Sequence, residues 1–254
     1  MLGPIIQQKN VLTSIKGRYS LVTQCHSHSH TQPKKPTNAS SITQPKNQRQ
    51  REYIESLRQE TPYIVIGCGA AGTGKTFLAT SVGLEKLERG EVSKIVLTRP
   101  AVCVEGEEHG FLPGTIESKM KPWILPVFDS FQQKIDCFKF EKMIENKQIE
   151  IAPLAFMRGR TFENAWIILD EAQNCTVNQM KMVLTRIGNG SKIVITGDPT
   201  QHDRQSHDCG LIDLLNRLDN REFDESMISV TQFTEQDVQR HLVIPHVLAL
   251  YDDQ

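Results

Sequence analysis

Eight residues, Gly69-Ala70-Ala71-Gly72-Thr73-Gly74-Lys75-Thr76, restrict the folds open to this 254-residue chain more than any other stretch. They satisfy the pattern G-x-x-x-x-G-K-[ST], and their surroundings are those the pattern needs. Tyr63-Ile64-Val65-Ile66-Gly67-Cys68 before them is a short, mostly apolar run with the length of a buried parallel strand. After Thr76, Leu78, Val82, Leu84 and Leu87 fall near helical spacing, and Arg89-Gly90 reads as a helix end. Glycines let backbone N–H groups turn inward around phosphate oxygens, and the N-terminus of the following helix adds its dipole. Gly69, Ala70, Ala71, Gly72, Thr73 and Gly74 therefore predict a phosphate cradle. Lys75 is the cation that reaches the β- and γ-phosphates, and Thr76 the hydroxyl that ligates Mg²⁺. A Gly-rich turn with no ligand is the competing reading, and the strand–loop–helix setting speaks against it.

A phosphate loop alone serves kinases, switches and motors equally. The run Ala165-Trp166-Ile167-Ile168-Leu169 narrows the choice, because it ends in two carboxylates, Asp170 and Glu171. Asp170, at the carboxyl end of a strand, can hold Mg²⁺ through its water shell, and Glu171 can polarise an attacking water as general base. A third apolar run, Lys192–Thr196, delivers Gly197, Asp198 and Gln201 to the same edge. Ligands of parallel α/β sheets sit at the carboxyl ends of strands, so three such edges describe one site. Gln201 is placed to sense the γ-phosphate. The expected cofactors are ATP and Mg²⁺, and the arrangement points to hydrolysis rather than to a kinase.

Apolar runs at 63–68, 94–98, 166–170, 192–196 and 227–231, with 149–153 as a minor candidate, alternate with helical patterns. Thr176–Ile187 carries Met180, Val183, Leu184 and Ile187 on one face, with Thr176 as cap and Gly188-Asn189-Gly190 as stop. Leu211, Leu214, Leu215 and Leu218 mark another core-facing helix, and Thr234-x-x-Asp237 reads as a capping box opening a terminal one. The class is α/β, a parallel sheet with helices on both faces.

Charge divides the chain. Residues 1–51 hold eight Lys/Arg and no Asp/Glu, leaving 21 basic against 30 acidic residues for the remainder. The arm is rich in Gln, Ser, Thr, Pro and His, which predicts disorder. Residues 1–43 are read as this arm and 44–254 as the folded domain. The arm fits a solvated tail, a polycation for nucleic acid or an organelle-targeting segment. Its Cys25-His26-Ser27-His28-Ser29-His30 could bind a transition metal, but alternating His in a tail is usually incidental. Six scattered cysteines without a CxxC pair argue against a zinc ribbon or a disulfide framework and fit a reducing, cytoplasmic setting. No apolar run approaches membrane-spanning length, so no membrane is expected.

Together these residues resemble the PhoH-like ATPases, relatives of the superfamily 1 helicase core. The resemblance runs from about Gln44 to Leu250, through Thr98–Val102, His109–Gly114, Met157–Thr161, Leu169–Asn174, Gly197–Gln201 and Asp237–His241. Several distinctive blocks in the family's order make coincidence implausible, although Cys103–Glu108 departs from the composition of common members. The resemblance implies a RecA-like P-loop NTPase fold with strand order 5-1-4-3-2. It implies that Gln50, ahead of Tyr53-Ile54-Glu55-Ser56-Leu57, lies near the adenine, where an amide can read the N6/N7 edge. It places Arg99 where helicase cores contact the nucleic-acid backbone. Arg158 and Arg160 either contact nucleotide phosphate from a neighbouring subunit or are structural.

Superfamily 1 helicases present an arginine across the ATP from a second lobe, and after about 200 residues of core this chain has no second phosphate-loop lobe. Fast hydrolysis needs positive charge on the transferring phosphoryl group. A head-to-tail oligomer, such as a hexameric ring, is therefore expected, with Arg240 or else Arg160 supplied in trans. The expected function is an oligomeric ATPase that remodels or unwinds single-stranded nucleic acid, RNA before DNA. The alternative is a non-motor switch or assembly factor controlling a protein partner. The acid excess of the body weighs against the first, since nucleic-acid binders usually show a basic face.

Overall fold

The computed structural model describes residues 43–100, 129–131, 134–201 and 208–239. Residues 1–42 of the basic arm lie outside them. So do the blocks at 101–114, residues 202–207, and everything from Arg240 onward. Thr43, read as the last residue of the arm, is buried and donates its N–H and hydroxyl to Glu85 Oε1.

Among the described residues the apolar runs become six strands: β1 (Ile64–Gly69), β2 (Lys94–Thr98), β3 (Ile149–Ile151), β4 (Ala165–Leu169), β5 (Lys192–Gly197) and β6 (Ile228–Phe233). All pairings are parallel, in the order β3-β2-β4-β5-β1-β6. Without β3 this is the expected order 5-1-4-3-2 read from the other end. The minor strand is present as a three-residue edge held to β2, with Ile95 opposite Ile149.

Buried strands explain the continuous apolar runs, since both faces are covered. Val65, Ile95, Trp166, Ile168 and Val194 face one core, which is closed by α1 (Gln48–Arg58), α2 (Lys75–Glu88) and α3 (Cys137–Glu145). Ile66, Val96, Ile167, Ile193 and Ile195 face the other, closed by α4 (Val177–Leu184) and α5 (Gly210–Asp219). The alternation of side chains along each strand sorts neighbours in sequence into opposite cores.

Two helix expectations need correction. Thr176 does cap α4, in a capping box with Gln179, but the helix stops at Leu184 rather than Ile187. Ile187 instead forms a parallel bridge with Phe162, and the N–H groups of Phe162 and Gly188 bond to the carbonyls of Arg186 and Phe162. That tertiary pairing draws residues 186–188 out of the helix. Thr234 and Asp237 also form a capping box, but it opens only a 3₁₀ turn, Glu235–Asp237, after which Val238 is extended.

Candidate active site

The loop between β1 and α2 is shaped by its glycines. At Gly69 a Cβ would lie 2.0 Å from the carbonyl oxygen of Phe233 on β6, so only glycine lets β1 leave the sheet here. Gly74 is the N-cap of α2 with φ 88, a left-handed conformation that aims the first helical amides into the loop. Lys75 folds back over it, its Nζ donating to the carbonyls of Gly69 at 2.6 Å and Ala70 at 2.7 Å. Burial pushes the Lys75 pKa down, and the charges of Asp198 and Asp170 pull it partly back.

The carboxyl ends of β4 and β5 meet this loop. Thr76 Oγ1 donates to Oδ1 of Asp170 at 2.7 Å, and Thr196 Oγ1 donates to the same oxygen at 2.6 Å. Glu171 follows in the left-handed region, φ 54 and ψ 42, a strained conformation for a residue with a side chain. That turn leaves it exposed at the site while its neighbour Asp170 is buried. Asp198 closes a small turn, with Oδ1 accepting from the N–H and hydroxyl of Thr200 at 3.0 and 2.7 Å. Its other oxygen, Oδ2, is buried without a hydrogen-bond partner among the described residues.

One cavity of about 270 Å³ joins these groups. Ala71, Gly72, Gly74, Lys75, Thr76, Asp170, Glu171, Asp198 and Gln201 line it, as do Phe77, Gln173 and Gly197. The residues expected to bind phosphate, metal and water thus meet from three strand ends. A divalent cation suits the donor set: the Thr76 hydroxyl and the Asp170 carboxylate are hard oxygens side by side, and the orphaned Asp198 Oδ2 adds negative charge to the wall.

Gly69, Ala70 and Thr73 of the loop do not line the cavity, and five further expected residues lie away from it or outside the described residues. Gln50 is buried behind the loop, not in the cavity lining. Its Nε2 donates to the Thr73 carbonyl at 3.0 Å and its Oε1 accepts from the Lys46 N–H at 2.9 Å. Arg99 turns inward, its Nε donating to Oδ2 of Asp170 at 2.8 Å and its Nη2 to the same oxygen. Arg160 is held by Glu150 on β3 through two hydrogen bonds, at 2.5 and 2.9 Å, and stacks over Phe162, away from the cavity of its own chain. Arg158 is exposed. Arg240 lies outside the described residues, but the N–H of Gln239 just before it donates to the Gly72 carbonyl of the same chain at 2.9 Å.

Gln173 is the residue that sequence reasoning left out of the site. It is 3 % exposed, and its Nε2 donates to Glu171 Oε2 at 2.7 Å while its Oε1 accepts from the Asp198 N–H at 3.1 Å. It thus ties the end of β4 to the end of β5. The signals were its place in the Leu169–Asn174 block and an amide two residues after Glu171, neither of which points to a partner 25 positions away.

Comparison with known proteins fits this geometry. Residues 42–252 match the family model described as PhoH-like protein. A PhoH-like protein of Mycobacterium bovis is 42 % identical over 211 residues, covering 82 % of this chain and 57 % of the relative. One from Bacillus subtilis is 42 % identical over 213 residues, covering 82 % of this chain and 64 % of the relative. The chain thus spans somewhat more than half the length of these relatives. Among solved structures, the large terminase of a thermophilic bacteriophage is similar with a TM-score of 0.50 at 10 % identity, over 81 % of this chain and 50 % of that one. That likeness concerns the fold alone.

Proposed function

This chain belongs to the PhoH-like protein family, and from that premise we propose that it is a magnesium-dependent ATPase acting on single-stranded nucleic acid, RNA before DNA, as a head-to-tail oligomer. The observation that carries the reading is the convergence of Lys75, Thr76, Asp170, Glu171, Asp198 and Gln201 on one cavity at the carboxyl edge of the sheet. The strained backbone at Glu171, whose side chain lines that cavity, supports hydrolysis over binding alone.

In this reading the amides of residues 71–76 hold the β- and γ-phosphates, and Lys75 leaves the carbonyls of Gly69 and Ala70 to reach them. Thr76 and Asp170 would hold the magnesium, which supplies charge neutralisation on the phosphate oxygens when bound. Glu171 accepts the proton of the water that attacks the γ-phosphorus as the bond to the bridging oxygen breaks. Gln201 orients the water and the transferring group, and Gln173 holds Glu171 in place for both.

The test is ATP hydrolysis at low salt with and without a single-stranded homopolymer. Hydrolysis stimulated by RNA, with a stimulation that fades as salt rises, supports the reading. Glu171→Gln should bind nucleotide as the wild type does and lose roughly 10²–10⁴-fold in turnover. Hydrolysis indifferent to every polynucleotide favours a switch that controls a protein partner, the reading that the acid excess of residues 52–254 supports.

A further inference from the structure

Asp170 has no acceptor position to spare. Its side chain is 3 % exposed, and four donors converge on it. Oδ1 accepts from the hydroxyls of Thr76 and Thr196, and Oδ2 accepts from Nε and Nη2 of Arg99. A carboxylate offers about four lone-pair sites, so its capacity is filled by the described residues alone. A hydrated divalent cation docks on such a carboxylate through water-to-oxygen hydrogen bonds, and must therefore displace a donor.

The donors are not equal. Thr196 is wholly buried. Thr76 can keep its O–H on Asp170 while its lone pairs face a metal. Arg99 is partly exposed, at 18 %, and is the one side chain of the three whose charge repels an arriving cation. It is also fixed opposite Asp170 by the sheet, because it follows Thr98, the last residue of β2, whose carbonyl accepts from the Asp170 N–H at 2.9 Å.

We propose that Arg99 and the magnesium of the bound nucleotide compete for Asp170, so that nucleotide loading frees the Arg99 guanidinium for a nucleic-acid phosphate. The carboxylate passes to magnesium and the guanidinium to phosphate, and either exchange breaks the same ion pair. The second ligand then meets a group already released, and linkage makes the two enhancements equal. An arginine suits this exchange because its planar fork matches carboxylate and phosphate alike. The coupling half of the proposal rests on the function proposed above; the competition for Asp170 does not need nucleic acid.

The experiment is a titration of a fluorescent, non-hydrolysable ATP analogue into the wild type, Arg99→Gln and Arg99→Lys, in excess magnesium and in EDTA, with and without oligo-U. Arg99→Gln should bind the analogue about tenfold more tightly in magnesium and no differently in EDTA. Oligo-U should tighten analogue binding to the wild type several-fold and leave that of Arg99→Gln unchanged. Arg99→Lys, which keeps the charge but not the fork, should fall between, and it carries the same test if Arg99→Gln does not fold. Weaker or unchanged binding of the analogue in magnesium to a folded variant overturns the competition, because a guanidinium that only orients Asp170 gives a loss. A wild type that binds the analogue but no oligonucleotide overturns the nucleic-acid reading and the coupling, while the magnesium comparison still decides the competition.

Discussion

Gln173 shows how much a single amide can govern. It spans Glu171 and the Asp198 backbone, so the orientation of the proposed general base depends on the end of a different strand. Gln173→Ala should lower kcat about tenfold with KM little changed, as expected when a group that orients a base is lost. Gln173→Glu should do worse, because a second carboxylate beside Glu171 disfavours the ionised form that the base needs. The acidic limb of the pH–rate profile should then move to higher pH. A purely structural role for Gln173 would shift stability and leave that limb where it was. Gly197 belongs to the same arrangement: a Cβ there would come within 2.8 Å of Gln173 Oε1.

Among the elements, the helix after the phosphate loop is held by a glycine that helix propensity alone would replace. Gly83 faces Trp166 of β4, whose Nε1 donates to the Ala79 carbonyl at 3.1 Å, and a Cβ at Gly83 would lie 2.6 Å from the indole. Alanine is the better helix former by about 1 kcal/mol. Gly83→Ala should nevertheless destabilise the fold by roughly 1–3 kcal/mol in urea melts, because the indole cannot give way inside the core. A stabilised variant would mean that α2 slides freely on the sheet.

Lys192, at the start of β5, pins another helix. Only 5 % exposed, its Nζ donates to the carbonyls of Ser56 and Gln59 at the end of α1, at 3.1 and 2.8 Å. Burial, with a smaller push from the charge of Lys86, lowers its pKa to about 8. The folded value is below the unfolded one, so the unfolded chain binds the proton more tightly. Below pH 8 the chain carries the full penalty of a buried cation, and stability should rise as pH climbs from 8 toward 10.5. The gain is on the order of 1–3 kcal/mol after solvent screening. Chemical denaturation across that range should show the rise in the wild type and a flatter curve in Lys192→Met.

For the whole molecule the question is where the arginine that the proposed hydrolysis calls for comes from. Arg160 is committed to Glu150 within its own chain, and the N–H of Gln239, the residue before Arg240, donates to the Gly72 carbonyl in the phosphate loop of the same chain. The head-to-tail proposal therefore has a sharp consequence. Mixed oligomers of Lys75→Ala and Arg240→Ala subunits should regain part of the hydrolysis that each variant lacks alone, because some interfaces then pair an intact loop with an intact arginine. No recovery on mixing would mean that each subunit completes its own site.

Local pattern was enough to find the loop, the strands that carry it and the carboxylates that follow: a glycine spacing, an apolar run, a polar residue at its end. Lys75, Thr76, Asp170, Glu171, Asp198 and Gln201 were legible for that reason, and one cavity gathers them. Whatever depends on pairing between distant segments was settled by the folded chain instead. The bridge between Phe162 and Ile187 closed α4 early. Packing turned Gln50 to the back of the loop, gave Arg160 to Glu150, and set Gln173 between two strand ends. Above all, the pairing of β2 with β4 brought Arg99 onto Asp170, 71 residues away. A side chain with a long reach and several donors is satisfied by whichever partner the sheet sets opposite it, and strand order is written in no single stretch of sequence.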